Sequence, residues 1–108
     1  MPYAIEYFAP EVKAKILEWP AGILASYYRC VARMVEHGPD LGMPYSWPLG
    51  RGLFEIRAKG PEGIGRAIFC ALVGRRMVIL HGFIKKTEKT PRRELAIARE
   101  RMKEVKNG

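Results

Sequence analysis

The sequence predicts an α+β fold, because apolar residues recur at helical spacing near both ends of the chain while the stretch between them holds short apolar runs separated by glycine turns. At the start, Tyr3, Ile5 and Tyr7 alternate with Ala4 and Glu6, the period of a strand, and the run ends near Pro10. Pro10 suits a first helical position, and Val12, Ile16 and Leu17 follow at helical spacing until Pro20. From Gly22 to His37 the positions Leu24, Tyr27, Tyr28, Val31, Met34 and Val35 keep a helical stripe that Gly38-Pro39 stops, so the first part reads as a helical hairpin. On that stripe Tyr27, Tyr28 and Met34 are read as core, and His37 as a C-terminal helix residue favoured by the dipole.

Residues 39–52 hold three Pro and three Gly among Leu41, Met43, Tyr45 and Trp47, which predicts an irregular, apolar loop. Leu53 to Ala58, Gly65 to Val73 and Met77 to Ile84 are then short and apolar, with turn residues between them, and predict an antiparallel meander. Thr90-Pro91 offers an N-cap with proline next to it. Leu95, Ala98, Met102 and Val105 share one face beyond it, with Arg92, Arg99, Arg101, Lys103 and Lys106 mostly elsewhere, so a basic amphipathic helix closes the chain.

A chain of 108 residues that is 48% hydrophobic can bury a core without disulfide or metal staples, and residues 1–108 are expected to form one domain. Lys and Arg number 19 against 11 Asp and Glu, a net +8, of which residues 85–108 carry nine basic and four acidic side chains. Such a surplus attracts a polyanion, whether nucleic acid, acidic protein or membrane surface. Cys30 and Cys70 lie in apolar periodic segments without C-x-x-C spacing and read as buried thiols in a reducing compartment. No apolar run approaches the roughly 20 residues of a membrane span. The N-terminus also lacks a basic region leading into an apolar stretch, and the expected location is the cytoplasm. No His/Cys/Asp set has metal spacing, and neither a Gly-rich phosphate loop nor a nucleophile elbow occurs, so neither a metal nor any other cofactor is expected.

The residues able to do chemistry fall on the meander. Leu53, Glu55 and Arg57 share one strand face, Arg66 leads the row Ile68, Cys70 and Leu72, and His81 and Lys85 fall in the row of Met77, Ile79 and Phe83. Where these rows coincide, Arg57, Arg66, His81 and Lys85 gather on one face. Such a cluster suits cleavage of RNA by attack of the ribose 2′-hydroxyl, which needs a base, an acid and cations on the phosphate. His81 titrates near neutrality, Lys85 or Lys86 serves once cationic neighbours lower its pKa, and Arg57 and Arg66 can clamp the phosphate bidentately. Each has a plainer reading: His81 as a hydrogen-bonded histidine at a sheet edge, Lys85, Lys86 and Lys89 as a solvated turn, Arg57 as the partner of Glu55 or of a helix carboxylate, and Arg66 as a surface residue.

The segments Gly52-Leu53-Phe54-Glu55-Ile56-Arg57, Gly65-Arg66 and Leu80-His81-Gly82-Phe83-Ile84-Lys85-Lys86-Thr87-Glu88-Lys89-Thr90-Pro91, followed by Ala98 to Arg101, closely resemble the HigB-like branch of the RelE/ParE toxin superfamily. The resemblance spans about residues 38–106 and implies a microbial-ribonuclease-like fold. It further implies a type II toxin that cleaves messenger RNA, in many members on the ribosome, and a cognate antitoxin that commonly carries a helix-turn-helix domain. Arg57, Arg66, His81, Lys85 and Lys86 fall on the family's polar positions around the RNA cleft. Arg51, Lys89, Arg92 and Arg93 would then hold flanking phosphates, and an acidic antitoxin segment over the basic cleft would exclude RNA. Many relatives carry a lysine before the Pro-Leu-Gly element, where this chain has Trp47, which reads equally as a base-stacking platform or a packed loop residue. The ParE branch instead blocks a protein, DNA gyrase, and a non-catalytic toxin of that kind is the second expectation.

Overall fold

The computed structural model describes residues 2–42, 45–85 and 89–107. The order is β1 (Ala4–Tyr7), α1 (Pro10–Leu17), α2 (Ala21–His37), β2 (Ser46–Gly50), β3 (Leu53–Gly60), β4 (Gly63–Leu72), β5 (Arg76–Ile84) and α3 (Arg92–Asn107), an α+β arrangement as expected. The strands form one sheet in the order β1-β5-β4-β3-β2, antiparallel throughout except that β1 runs parallel to β5 at one edge. Among the described residues no helix is long and apolar enough to cross a membrane.

Each face of the sheet buries its own core. The apolar row of α2, with Ile23, Tyr27, Cys30 and Met34 each buried, packs with Val12 and Ile16 of α1 on Ile56, Ala58, Phe69 and Ile79. On the opposite face Leu95, Ala98, Met102 and Val105, the stripe expected of the last helix, cover Leu53, Ile68, Cys70 and Leu80. The two cysteines are therefore free, buried thiols on opposite sides of the sheet. Tyr27 also ties its helix to β1 through a 2.8 Å hydrogen bond between its hydroxyl and that of Tyr7.

Four expectations need correction. Residues 39–52 are not wholly irregular: Ser46–Gly50 form an edge strand on β3, where Pro48 is tolerated and an extra residue bulges between Pro48 and Gly50. Its proline and glycine content masked a strand whose hydrogen bonds come from a distant partner. Tyr28 lies half exposed, one position round the helix from the buried Tyr27. Thr90 is not the cap of α3, which begins at Arg92 with the Pro91 carbonyl accepting from Leu95 N–H at 3.1 Å. Finally, Met77, Ile79, His81 and Phe83 do not form one row, because β5 carries an extra residue: Ile68 pairs with His81 while Phe69 pairs with Ile79, leaving Leu80 as a bulge.

Glycine sets the approach of the α1–α2 corner to the sheet. A Cβ on Gly82 would stand 2.7 Å from Ile16 Cγ1, and one on Gly65 would stand 2.7 Å from both Ile23 Cγ2 and Trp19 Cζ3. Gly82→Ala is expected to cost about 1–3 kcal/mol by overpacking. The loss should couple to Ile16→Val, whose smaller side chain relieves the contact, so the double variant loses less than the two singles combined. Urea unfolding measures both, and strict additivity would show that the contact is not where the strain lies.

Candidate active site

The bulge in β5 decides which face of the sheet His81 joins. Val78 and Leu80 face α3, and the extra residue turns His81 to that same side, where Nε2 lies 2.8 Å from Glu94 Oε1. Without it, His81 would follow Met77 and Ile79 onto the α1–α2 face. The Leu80 carbonyl accepts a 2.7 Å hydrogen bond from Arg101 Nη1, so α3 satisfies a group at the interrupted ladder.

Arg57 and Arg66 are direct partners in the β3–β4 ladder, and Glu55 lies two residues before Arg57 on the same row. The Glu55 side chain is completely buried, as is that of Arg66. Arg57 Nε donates to Glu55 Oε1 at 3.0 Å, and Arg66 Nη1 lies 3.8 Å from that oxygen. The Thr90 hydroxyl donates to Glu55 Oε2 and accepts from Arg66 Nη1 at 3.1 Å. Two guanidinium groups thus flank one carboxylate, and the cluster keeps a net positive charge. A buried carboxylate is sustained only by such partners, because desolvation otherwise costs several kcal/mol. The Arg57 guanidinium also lies over the Trp47 ring, 4.0 Å from its centroid, with 14% of the side chain exposed.

His81 occupies a different crevice. A cavity of about 100 Å³ is lined by His81, Gly82, Glu11, Val12, Lys15 and Arg101, between α1 and α3. Burial holds its imidazole below the ordinary histidine pKa; the Glu94 carboxylate opposes the shift, and Lys15 and Arg101 reinforce it. The neutral ring with its proton on Nε2 then donates to Glu94. Phe83, whose ring centroid is 5.6 Å from that of His81, stands at the register position opposite Arg66.

The structure thus brings Arg57, Arg66 and Trp47 together and sets His81 apart on the same sheet face. Lys85 lies just beyond β5, half-buried, with its N–H donating to the Ile64 carbonyl at 3.0 Å, next to the Arg66 end of the ladder. Lys86 lies outside the described residues. Lys89, Arg92 and Arg93 are exposed at the start of α3. Arg51 is exposed in the β2–β3 turn with φ 55°, beside Gly52, where a Cβ would stand 3.3 Å from Lys106 Nζ at the far end of α3. It therefore does not join the Arg57 cluster. Glu55 is the partner that the plainer reading of Arg57 expects; its burial with Arg66, and the commitment of the Thr90 hydroxyl to it in place of a helix cap, are what sequence reasoning missed. The signal was an acidic residue in the row Leu53-x-Glu55-x-Arg57, which has to be paired if α3 or its approach covers it. Among the described residues no group of three or more His, Cys, Asp or Glu side chains is placed to hold a metal ion.

The model of the phage-derived Gp49-like protein family matches residues 14–103. The fold is similar to that of a mutant of the Escherichia coli toxin RelE solved in the free state, with a TM-score of 0.56 at 9% identity, covering 97% of this chain and 99% of that one. The likeness to RelE agrees with the fold that the motifs imply. No curated protein matches the chain.

Two outcomes follow from the geometry. Glu55→Ala, which leaves Arg66 buried without its carboxylate, should destabilise the protein by about 3 kcal/mol or more in urea unfolding, with Glu55→Gln milder; equal stability of Glu55→Ala and wild type would mean that the carboxylate does not anchor the cluster. Because the folded pKa of His81 is lowered, its contribution to stability is present above about 6.5 and is lost as the pH falls through the folded value. The slope there is at most about 1.4 kcal/mol per pH unit. A proton NMR titration should place His81 below its ordinary value and lower still in Glu94→Gln, and an upward move in that variant would contradict the assigned hydrogen bond.

Proposed function

Because the chain belongs to the phage-derived Gp49-like family, with a RelE-like fold, we propose that it is a HigB-like toxin of a type II toxin-antitoxin pair that cleaves messenger RNA without a metal. The observation that carries this reading is the Glu55-anchored arginine pair: Glu55 fixes the Arg57 guanidinium, and Arg57 reaches solvent over an aromatic ring. A prefixed cation beside a stacking surface is what in-place stabilisation of a phosphorane-like transition state requires, since no reorganisation is needed as charge develops.

In this scheme Arg57 and Lys85 bind the scissile phosphate and Trp47 stacks on a base. Arg66, fully covered, acts through Glu55 and Thr90 as a positioning residue. One lysine of the Lys85–Lys86 pair takes the 2′-hydroxyl proton, the 2′-oxygen attacks phosphorus, and as the bond from phosphorus to the 5′-oxygen breaks the other lysine, still charged, gives that oxygen its proton. The products are a 2′,3′-cyclic phosphate and a free 5′-hydroxyl. His81, committed to Glu94, holds α3 against β5. Lys89, Arg92 and Arg93 meet flanking phosphates, with the translating ribosome presenting the message in the cytoplasm. The inhibitor is an antitoxin with a helix-turn-helix domain, whose acidic segment covers the basic surface.

Primer extension on a defined message in a translation reaction, with free RNA in EDTA as a second arm, tests this. Wild type should give discrete cuts that Arg57→Ala and Lys85→Ala reduce by about 100-fold or more, the scale expected when a group that stabilises the transition state is removed. Intact message alongside arrested growth would instead favour a toxin that blocks a protein target.

A further inference from the structure

β2 pairs with β3 only from Leu53 to Ile56, so residues 57–60 run past its end, and the Arg57 N–H donates instead to the Tyr45 carbonyl at 3.2 Å. Where β2 stops, a groove opens between α2 and the edge of β3. One hollow of about 130 Å³ is lined by Arg29, Tyr45, Arg57 and Lys59, and two of about 340 Å³ continue it along Arg33 and His37. The first two hollows share Tyr45 as a wall, and the third lies beside them along α2, whose residues alone line it, Arg29 and Arg33 among them. Arg29 and Arg33 are exposed and stand one helical turn apart, about 6 Å along the axis, close to the repeat of an extended nucleotide chain. Arg57 belongs to both places, lining the groove and bonding Glu55 in the site.

Charge alone would suit any anion, and Glu36 and Asp40 on the walls limit how strongly the groove attracts one without shape. What narrows the ligand is a repeated unit. The Arg33 guanidinium lies 4.6 Å from the Tyr45 ring centroid, as Arg57 lies 4.0 Å from that of Trp47, two residues further along the chain. Alternating rings and guanidinium groups are the means by which single strands are held, bases on the rings and phosphates on the cations. An acidic peptide would use the cations and leave the rings idle.

We propose that this groove is a binding track for single-stranded RNA flanking the scissile phosphate, with Tyr45 as a second base platform and Arg29, Arg33 and Lys59 on successive phosphates. The proposal rests on the ribonuclease reading for the place of the cut, and on the groove's own geometry for binding. It makes the recognised RNA longer than the site alone can hold.

Fluorescence anisotropy with labelled 2′-O-methyl RNA, which lacks the attacking hydroxyl, separates binding from cleavage. The wild-type protein, an Arg29→Glu/Arg33→Glu variant and Tyr45→Leu are titrated with an oligonucleotide of about a dozen residues and with a trinucleotide. A fold check by thermal unfolding accompanies each. The double variant should bind the longer RNA about 10-fold or more weakly, with a salt slope reduced by about 0.7 for each phosphate it no longer neutralises. Tyr45→Leu should weaken it at unchanged slope, and the trinucleotide, too short to span the track, should lose less affinity than the longer RNA in both variants. Unaltered affinity and slope for the longer RNA would overturn the track, as would arginine-dependent binding of an acidic peptide of equal charge in its place. Cleavage by wild type together with unaltered binding by the variants would sink the track and leave the nuclease standing; variant-sensitive binding without any cleavage would do the reverse.

Discussion

A single extra residue in β5 governs how the second half of the molecule fits together. A strand turns alternate side chains to opposite faces, so an inserted residue reverses the assignment of everything after it. Leu80 is that residue: before it Ile79 packs under α1 and α2, and after it His81 and Phe83 turn toward α3. Gly82 is consequently presented to Ile16 on the other face, where a side chain would not fit. The same irregularity gives α3 two polar anchors, Arg101 on the Leu80 carbonyl and Glu94 on His81. Apolar burial holds α3 on the sheet; these two bonds fix its position along it.

The second constraint is electrostatic. Burying Glu55 between β3 and the approach to α3 would be prohibitive for a lone carboxylate, and the sheet answers by placing Arg57 and Arg66 opposite one another at that point. The arginines gain fixed orientations in return. Arg66 and Thr90 are committed to the carboxylate, whereas Arg57 keeps an edge toward solvent over Trp47. A site built this way has its cation placed before any ligand arrives, on a strand rather than a loop. Its polarity runs outward from there, past the open edge of β3 to Arg29 and Arg33, on the side of the molecule opposite α3.

The +8 surplus consequently has structure in it. Part lies at the start of α3 in Lys89, Arg92 and Arg93, and part on α2 and the β3 edge, with the arginine pair between them. A polyanion laid across the arginine pair would meet cations on either side. Bare net charge cannot distinguish that arrangement from an evenly basic surface, which attracts polyanions without aligning them.

The sequence by itself determined the α+β class, the two N-terminal helices, four of the five strands, and the apolar stripe of α3, because each of these follows from local periodicity and from where proline and glycine interrupt it. It also singled out Arg57, Arg66 and Trp47, which the fold brings together. Tertiary structure alone decided the rest. β2 exists because β3 offers it hydrogen bonds, which outweigh the proline and glycine that made it read as a loop. Thr90 looked like a cap, but the buried Glu55 claims its hydroxyl, and α3 starts one position later than that reading. His81 reached the face of Arg57 and Arg66 through a bulge with no mark of its own in the residues, since an extra leucine in an apolar strand keeps the composition unchanged while it reverses the alternation. Pairing partners distant in sequence set those choices, and periodicity carries no record of a partner.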